Sequence, residues 1–187
     1  MKPFSGEEML SLITSRQSDR SYSDRPVERE KVERLVEAAR LSPSACNAQP
    51  WKFIVVDERD MVAQIAAAAS ARALGMNRFV SEVPLFIAIV RERANFTSII
   101  GSKIKEKDYS LMDIGIASAM ITLQAAAEGL GSCILGWFNE KEVKSILGVP
   151  RSKRIELLIA VGYPAKEQRQ KKRKPHAEVI SFNGYNL

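Results

Sequence analysis

The turn at residues 42–51 constrains the fold more than any other stretch, because it joins a helical pattern to a strand. Two prolines bracket small and polar residues, and the apolar run 53–56 follows directly. Proline disfavours helix on either side and removes a backbone donor. Asn47 and Gln49 carry amides that donate and accept hydrogen bonds, either to the turn's own backbone or to a ligand.

Helical and apolar strand patterns alternate along the rest of the chain. Helices are predicted at 7–15, 28–41, 59–74 and 109–128, and in the segment that Asn139 caps with Glu142 in the capping-box position. Strands are predicted at 52–56, 83–90, 132–135, 154–161 and 178–182. This alternation indicates a sheet covered by helices. The segment 91–107 has no clear period and is predicted to be a loop or lid.

The pattern at 109–128 is the longest in the chain and consists largely of small and apolar residues. Few charges interrupt it, so we expect a central helix that is packed on several sides. Its small side chains allow another helix to approach closely, as at a helical dimer interface.

Composition bounds the class of protein. A chain of 187 residues with 45% hydrophobic and 27% charged residues is typical of one soluble globular domain. Two cysteines and one histidine are too few for a Cys/His zinc site. We interpret Cys46 as a small buried hydrophobe, not a nucleophile. The N-terminus has no signal-peptide core, and the longest apolar run, 83–90, is far short of a membrane span, so we expect a cytoplasmic protein with reduced thiols.

Positive charge is concentrated in one segment. Residues 166–174 contribute +5 of the net charge of +6, and the rest of the chain is nearly neutral. Such a run is usually a solvated strip, but it can also bind nucleic acid.

A second basic group lies near the N-terminus. Arg16, Ser18 and Arg20 could bind an anion, because guanidiniums fork onto phosphate oxygens and a hydroxyl adds a donor. Lys171 and Arg173 form another candidate phosphate contact. No acid/base pair or phosphate-binding P-loop is evident. These features favour an organic phosphate cofactor that carries the reaction, while the protein supplies position and electrostatics.

The motifs together resemble the FMN-dependent nitroreductase family, over nearly the whole chain. They are Arg16-Gln17-Ser18-Asp19-Arg20-Ser21-Tyr22, the turn Pro43-Ser44-Ala45-Cys46-Asn47-Ala48-Gln49-Pro50-Trp51, Ile134-Leu135-Gly136-Trp137-Phe138, Gly162-Tyr163-Pro164 and the basic tail. The resemblance implies an α+β fold, with a mixed β-sheet flanked by helices and an intertwined homodimer. It implies a single FMN-binding domain over 1–187, with the segment 166–187 extending toward the partner subunit.

The resemblance also assigns the flavin contacts. The phosphate, ribityl chain and pyrimidine edge of FMN are expected to meet Arg16, Gln17, Ser18 and Arg20, with Lys171 and Arg173 as a second phosphate contact. The turn that reaches FMN from the partner subunit corresponds to Pro43, Ser44, Ala45 and Asn47. Leu135 and Gly136 match a loop whose backbone amide lies near flavin N5. The family often has Pro-Ile-Glu-Gly there, whereas this chain has Cys133-Ile134-Leu135-Gly136. A role for the glutamate carboxylate of that motif therefore does not carry over to this chain.

The implied reaction is a ping-pong transfer, in which NADH or NADPH gives hydride to flavin N5 and a nitroaromatic, quinone or similar small molecule then accepts it. No catalytic side chain and no metal are expected. Phe96 and Tyr109, in or beside the lid, are candidate substrate contacts. Reductive dehalogenation or flavin fragmentation is the alternative within the family. A nucleic-acid-binding protein is a remote alternative, because the tail lacks interleaved aromatic residues.

Overall fold

The computed structural model describes residues 5–70, 76–93 and 107–185. The helices in this part of the chain are α1 (Gly6–Ser15), α2 (Arg29–Arg40), α3 (Arg59–Ala69), α4 (Tyr109–Ala127), α5 (Glu140–Ile146) and α6 (His176–Val179). The strands are β1 (Trp51–Val56), β2 (Leu85–Arg91), β3 (Gly131–Leu135) and β4 (Arg154–Gly162). Short 3₁₀ turns occupy Ala45–Asn47 and Arg78–Glu82. The predicted α+β alternation is confirmed.

The four strands form one sheet in the order β1-β2-β4-β3, and every neighbouring pair is antiparallel. A mixed sheet was predicted, and the parallel pairing among the described residues is limited to one isolated bridge between Ser18 and Ser132 of β3. The pairing of β2 with β4 changes register between Ile89 and Val90, because Glu156 on β4 has no partner on β2 at this point. The Arg91 guanidinium lies 2.9 Å from the carboxylate of Glu156.

Alternate residues of the central strands enter two cores, one on each face of the sheet. On β2, Phe86 and Ala88 pack beneath α3 and α5, whereas Ile87 and Ile89 pack beneath α2 and α4. All four are fully buried. Burying a side chain as large as phenylalanine or isoleucine contributes about 1.5–3 kcal/mol to folding. A strand with apolar residues at every position gains this on both faces only in the middle of a covered sheet, and this explains the central position of these strands.

Local signals determine where the helices begin. Ser5 and Glu8 form a complete capping box at the start of α1. The side chain of Asp108 accepts from the backbone of Leu111 at the start of α4, and Asn139 accepts from Glu142 at the start of α5. The predicted Asn139 cap is confirmed.

Helix α3 is shorter than predicted, because tertiary contacts cap its end. The helix stops at Ala69, and Ser70 takes an extended backbone. The backbone N–H of Asn139 donates to the Ala68 carbonyl at 2.8 Å, and the side chain of Asn77 donates to the Ala69 carbonyl at 3.1 Å. These bonds satisfy carbonyls that another helical turn would otherwise have used. Residues 71–75, in which the helix was predicted to continue, lie outside the described part.

The predicted terminal strand at 178–182 is wrong. Residues His176–Val179 form one helical turn after Pro175, and the described residues beyond it belong to no strand. A strand needs an edge to pair with, and no ladder of the described residues includes this segment. The apolar residues that suggested a strand, Ile180 and Phe182, are exposed.

Helix α4 is long and apolar enough by composition to span a membrane, and it is the one such helix among the described residues. The core helix of a globular protein passes the same test. Ile114, Ala117 and Ile121 of α4 are fully or almost fully buried in the core between the sheet and α2. This packing explains the apolar residues on that face of α4.

Candidate functional site

The segment that follows α1 is attached to the edge of the sheet. Arg16 takes an extended backbone at the end of α1, and Ser18 bridges to Ser132 at the start of β3. The backbone N–H of Asp19 donates to the Ser132 carbonyl at 2.9 Å, and the N–H of Ser132 donates to the carboxylate of Asp19 at 3.3 Å. The sheet therefore holds the Arg16–Arg20 motif in a defined position.

The basic tail crosses the same segment. The side chain of Gln168 donates to the Ser15 carbonyl at 2.5 Å. The backbone N–H of Arg169 donates to the side-chain oxygen of Gln17 at 3.2 Å, and its guanidinium donates to the Ser18 carbonyl at 3.2 Å. The Lys171 ammonium donates to the carbonyl of Thr14. Two basic groups about 150 residues apart in sequence are thus brought together.

A cavity of about 420 Å³ lies between the two segments. It is lined by Arg16, Gln17, Ser18, Arg20, Arg169, Gln170, Lys171, Lys172 and Arg173. Six predicted flavin contacts are therefore neighbours. Sequence reasoning missed Arg169 and Lys172 as site residues, although both belong to the basic run that it singled out.

The electrostatics of this cavity favour an anion. Desolvation lowers the pKa of Lys171, and the positive charges of Arg16 and Arg173 lower it further. Asp19 is the carboxylate that opposes this shift. An anion among these cations would relieve their mutual repulsion, so the donor set fits a phosphate group.

The turn at 43–47 does not line this cavity. The backbone N–H of Ala45 lies 3.1 and 3.2 Å from the two carboxylate oxygens of Asp113, which is buried on α4. Pro43 and Asn47 are exposed on the surface of the chain, and Ser44 is half-buried. This separation is expected if the turn serves the cavity of a partner subunit.

The backbone of the turn is strained. Cys46, Asn47 and Gln49 all have positive φ, at 53°, 51° and 46°. Such conformations cost roughly 1–3 kcal/mol each and persist where the surroundings determine them. Here the Ser44 hydroxyl accepts from the Gln49 backbone at 3.0 Å, and the Gln49 side chain donates to the Asn47 side chain at 3.2 Å. The expectation that Cys46 is buried is wrong, because Cys46 is exposed in the single chain.

Leu135 and Gly136 lie at the opposite end of β3 from Ser132. The Leu135 side chain is buried in the core, so its contribution to a site is limited to its backbone. Gly136 is exposed, and the next residue, Trp137, is 57% exposed. The side chain of Asn77 donates to the Trp137 carbonyl at 3.0 Å and fixes this loop to the end of α3.

The two candidate substrate contacts are not tested by the structure. Phe96 lies outside the described residues. Tyr109 is half-buried as the first residue of α4, next to an ion pair of 2.7 Å between Arg91 and Asp108. It does not line the basic cavity.

A larger cavity, about 1210 Å³, lies between α3 and the segments at 22–27 and 78–85. It contains none of the predicted site residues. Its three carboxylates, on Asp24, Asp57 and Glu82, outnumber the two guanidiniums of Arg59 and Arg78. Its mixed charge does not single out a phosphate ligand. The described residues contain no group of three or more potential metal ligands.

An antiparallel sheet with helices on both faces and a cationic cavity at its edge defines an α+β protein suited to an anionic ligand. The model of the nitroreductase family matches residues 13–163 of this chain. The chain belongs to the nitroreductase family.

Relatives match over most of the chain. An oxygen-insensitive NADPH nitroreductase of Helicobacter acinonychis is 31% identical over 212 residues, covering 97% of this chain and 100% of that protein. An FMN reductase (NAD(P)H) of Bacillus subtilis is 25% identical over 184 residues, covering 92% of this chain and 72% of that protein. The solved structure of an FMN-dependent nitroreductase from Clostridium difficile R20291 matches with a TM-score of 0.76 and 27% identity, covering 94% of this chain and 99% of that one.

Proposed function

We propose that this protein is an FMN-dependent oxidoreductase that uses NADH or NADPH to reduce nitroaromatics, quinones or similar small acceptors. The observation that carries the proposal is the cationic cavity formed by Arg16–Arg20 and the basic tail. The relatives named above as an NADPH nitroreductase, an FMN reductase and an FMN-dependent nitroreductase support it.

The residues of the cavity fit the phosphate of FMN. Arg16, Arg20 and Arg173 offer planar forks for two phosphate oxygens, and Lys171 offers a point charge. The Ser18 hydroxyl adds a neutral donor. The pyrimidine edge is assigned to Gln17 and the neighbouring cations, since positive groups there stabilise the negative charge of a reduced flavin.

Other parts of the chain complete the site. The backbone at Leu135 and Gly136 is assigned to the flavin ring near N5, with no carboxylate beside it. When bound, FMN accepts hydride from NAD(P)H and passes it to an acceptor in a ping-pong sequence. The protein's own residues hold the cofactor and orient its ring.

The proposed assembly is a homodimer in which each cavity receives the turn Pro43–Asn47 of the other subunit. Two observations support it. The turn is strained and exposed and lies outside the cavity of its own chain. Helices α1 and α4 also expose apolar side chains, including Met9, Leu10, Met112 and Ile116. We expect this dimer in the cytoplasm.

The tail supports a cofactor role over nucleic-acid binding. Lys171 and Arg169 donate to carbonyls of the chain's own N-terminal segment, so the tail is folded against the protein. Retardation assays with DNA and RNA test the alternative. Tight, salt-sensitive binding that is lost with the tail would support it instead.

Cofactor content is the first experiment. The purified protein should be yellow, and denaturation should release FMN, not FAD. A colourless protein that fails to bind added FMN would contradict the proposal. Steady-state and stopped-flow measurements of flavin reduction by NADH and NADPH would then identify the electron donor. Reoxidation by nitroaromatics, quinones and halophenols would identify the acceptor and distinguish nitro or quinone reduction from reductive dehalogenation.

Replacing Arg16 by alanine should weaken FMN binding, because a charge-assisted contact to phosphate is lost. Hydrogen bonds to charged groups contribute about 1.5–3 kcal/mol, which corresponds to roughly 10- to 150-fold in Kd. Fluorescence titration of apoprotein measures this change. Arg29→Ala is the matched control, because Arg29 is exposed on α2 and pairs with Glu33 and Asp57. Unchanged FMN affinity in Arg16→Ala would remove Arg16 from the site.

A further inference from the structure

We propose that Asp19 is a positioning residue that joins the phosphate-binding cavity to β3, and that Gly131 keeps the space its carboxylate needs. The inference rests on the proposed function and goes beyond the contacts that the family resemblance assigns. Asp19 does not line the cavity itself, but its carboxylate accepts a hydrogen bond from Gln17, which does.

Both carboxylate oxygens of Asp19 are engaged. One accepts from the side-chain amide of Gln17 at 2.7 Å, and the other accepts from the backbone of Ser132 at 3.3 Å. The side-chain oxygen of Gln17 in turn accepts from the backbone of Arg169 at 3.2 Å. Asp19 therefore connects the sheet, the N-terminal motif and the basic tail through one continuous set of hydrogen bonds.

Gly131 is the second half of this arrangement. A Cβ at position 131 would lie 2.9 Å from both Cγ and one carboxylate oxygen of Asp19, and 3.0 Å from its Cβ. No ordinary contact is that short, so any larger residue would displace the carboxylate. Glycine is required here by the space that Asp19 occupies, since its φ is not in the left-handed region.

The geometry links two parts of the proposed flavin site. Ser132, which Asp19 holds, and Gly136, assigned to the flavin ring, are four residues apart along β3 and its end. An extended segment of that length spans roughly 13 Å. A displaced Asp19 would thus change the position of the phosphate-binding groups relative to the ring-binding loop.

A positioning role and a purely electrostatic role of Asp19 predict opposite changes in FMN affinity. A negative charge among cations that hold a phosphate opposes phosphate binding through space. If Asp19 acted through charge alone, Asp19→Ala would bind FMN more tightly. A positioning role predicts the opposite, weaker binding. Asp19→Asn removes the charge but keeps one acceptor oxygen, so its FMN affinity should lie between those of wild type and Asp19→Ala.

The experiment is a double-mutant cycle on Asp19→Ala and Gly131→Ala, read out as FMN affinity of the apoprotein. Each single variant should bind FMN at least about tenfold more weakly than wild type, because lost hydrogen bonds to charged groups have effects of that size. The double variant should lose less FMN affinity than the sum of the two single losses, because Asp19→Ala removes the two shortest contacts of the new methyl group and leaves only the Cβ of residue 19, at 3.0 Å. Gly6→Ala is the control, since a Cβ there meets nothing within 4 Å.

Two results would overturn the inference. The first is wild-type FMN affinity in both single variants. The second is additive losses in the double variant, which would mean that Gly131→Ala acts by distorting β3 and not through Asp19. Thermal unfolding of each variant shows that the compared proteins are folded.

A flavin-independent readout separates this inference from the proposed function. Without the link through Gln17, the tail should leave the N-terminal segment, so trypsin should cleave after Lys171, Lys172 and Arg173 faster in Asp19→Ala and Gly131→Ala than in wild type. If wild type binds no FMN but the variants show this faster cleavage, the proposed function fails while the positioning role stands. Equal cleavage rates would overturn the positioning role.

Discussion

One tyrosine illustrates how single residues organise the end of the sheet. The Tyr163 ring, directly after β4, has the Arg25 guanidinium 3.9 Å and the Lys31 ammonium 5.0 Å from its centroid. Its hydroxyl donates to Glu28 at 2.5 Å and accepts from Lys31 at 2.9 Å. These contacts attach α2 and the segment before it to the strand.

The stability of the fold should depend on pH through the ionisation of Glu28. The hydrogen bond from Tyr163, followed by backbone and Arg25 contacts, lowers the pKa of Glu28 from its ordinary 4.5 to about 2. A lowered folded-state pKa stabilises the fold above pH 4.5, and this contribution is lost as pH falls through 2. Glu28→Gln should therefore be less stable at pH 7 and depend less on pH between 4.5 and 2.

Urea unfolding at pH 7, 4 and 3 measures this effect. Glu33→Gln, on the exposed face of α2, is the control for general charge removal. Parallel pH profiles for wild type and Glu28→Gln would show that the Tyr163 contact has no such role.

At the scale of elements, α4 is unusual in having apolar residues on two opposite faces. One face, with Ile114, Ala117 and Ile121, packs in the core. The other carries Met112, Gly115, Ile116 and Ala119 at helical spacing, and all four are exposed in the single chain. An exposed apolar stripe of this kind is typical of an interface.

Ile116→Glu should convert the proposed dimer to a monomer, because it places a charge in the apolar interface. FMN affinity should fall with it, since each cavity would lose the turn of the partner subunit. Analytical ultracentrifugation and flavin titration measure the two effects. Gln64→Glu adds the same charge on the exposed surface of α3 and should leave the dimer intact. A dimer that survives Ile116→Glu would place the interface elsewhere.

At the scale of the whole molecule, the distribution of charge matters more than its total. Most of the net charge of +6 lies in the tail, and folding places it beside Arg16 and Arg20. Screening over about 10 Å at 0.1 M salt should therefore weaken phosphate binding in particular.

FMN affinity should fall as NaCl rises from about 50 to 500 mM, whereas riboflavin, which lacks the phosphate, should bind with little salt dependence. The double variant Lys171→Gln/Arg173→Gln should bind FMN more weakly and show a smaller salt slope. Isothermal titration at several salt concentrations tests this. An unchanged slope in the double variant would mean that the tail does not contact the phosphate.

Local patterns in the sequence were enough for most elements. The capping residue Asn139 predicted the start of α5, and the apolar runs of β1, β2 and β4 predicted those strands to within about two residues, because such signals act over a few positions. The end of α3 was missed, since Asn77 and Asn139 cap it from distant positions. The terminal strand at 178–182 was predicted wrongly, because apolar residues alone supply no partner edge.

The turn at 42–51 also shows which features of the candidate site follow from local sequence and which depend on contacts between distant residues. Its prolines and small residues determined a break between helix and strand, and the two basic segments indicated a candidate anion site. Only the tertiary structure decided that Asp113 holds the turn, that Cys46 has a left-handed backbone, and that Asp19 ties Gln17 to β3. The physical reason is that these contacts join residues far apart in sequence, so no local pattern records them.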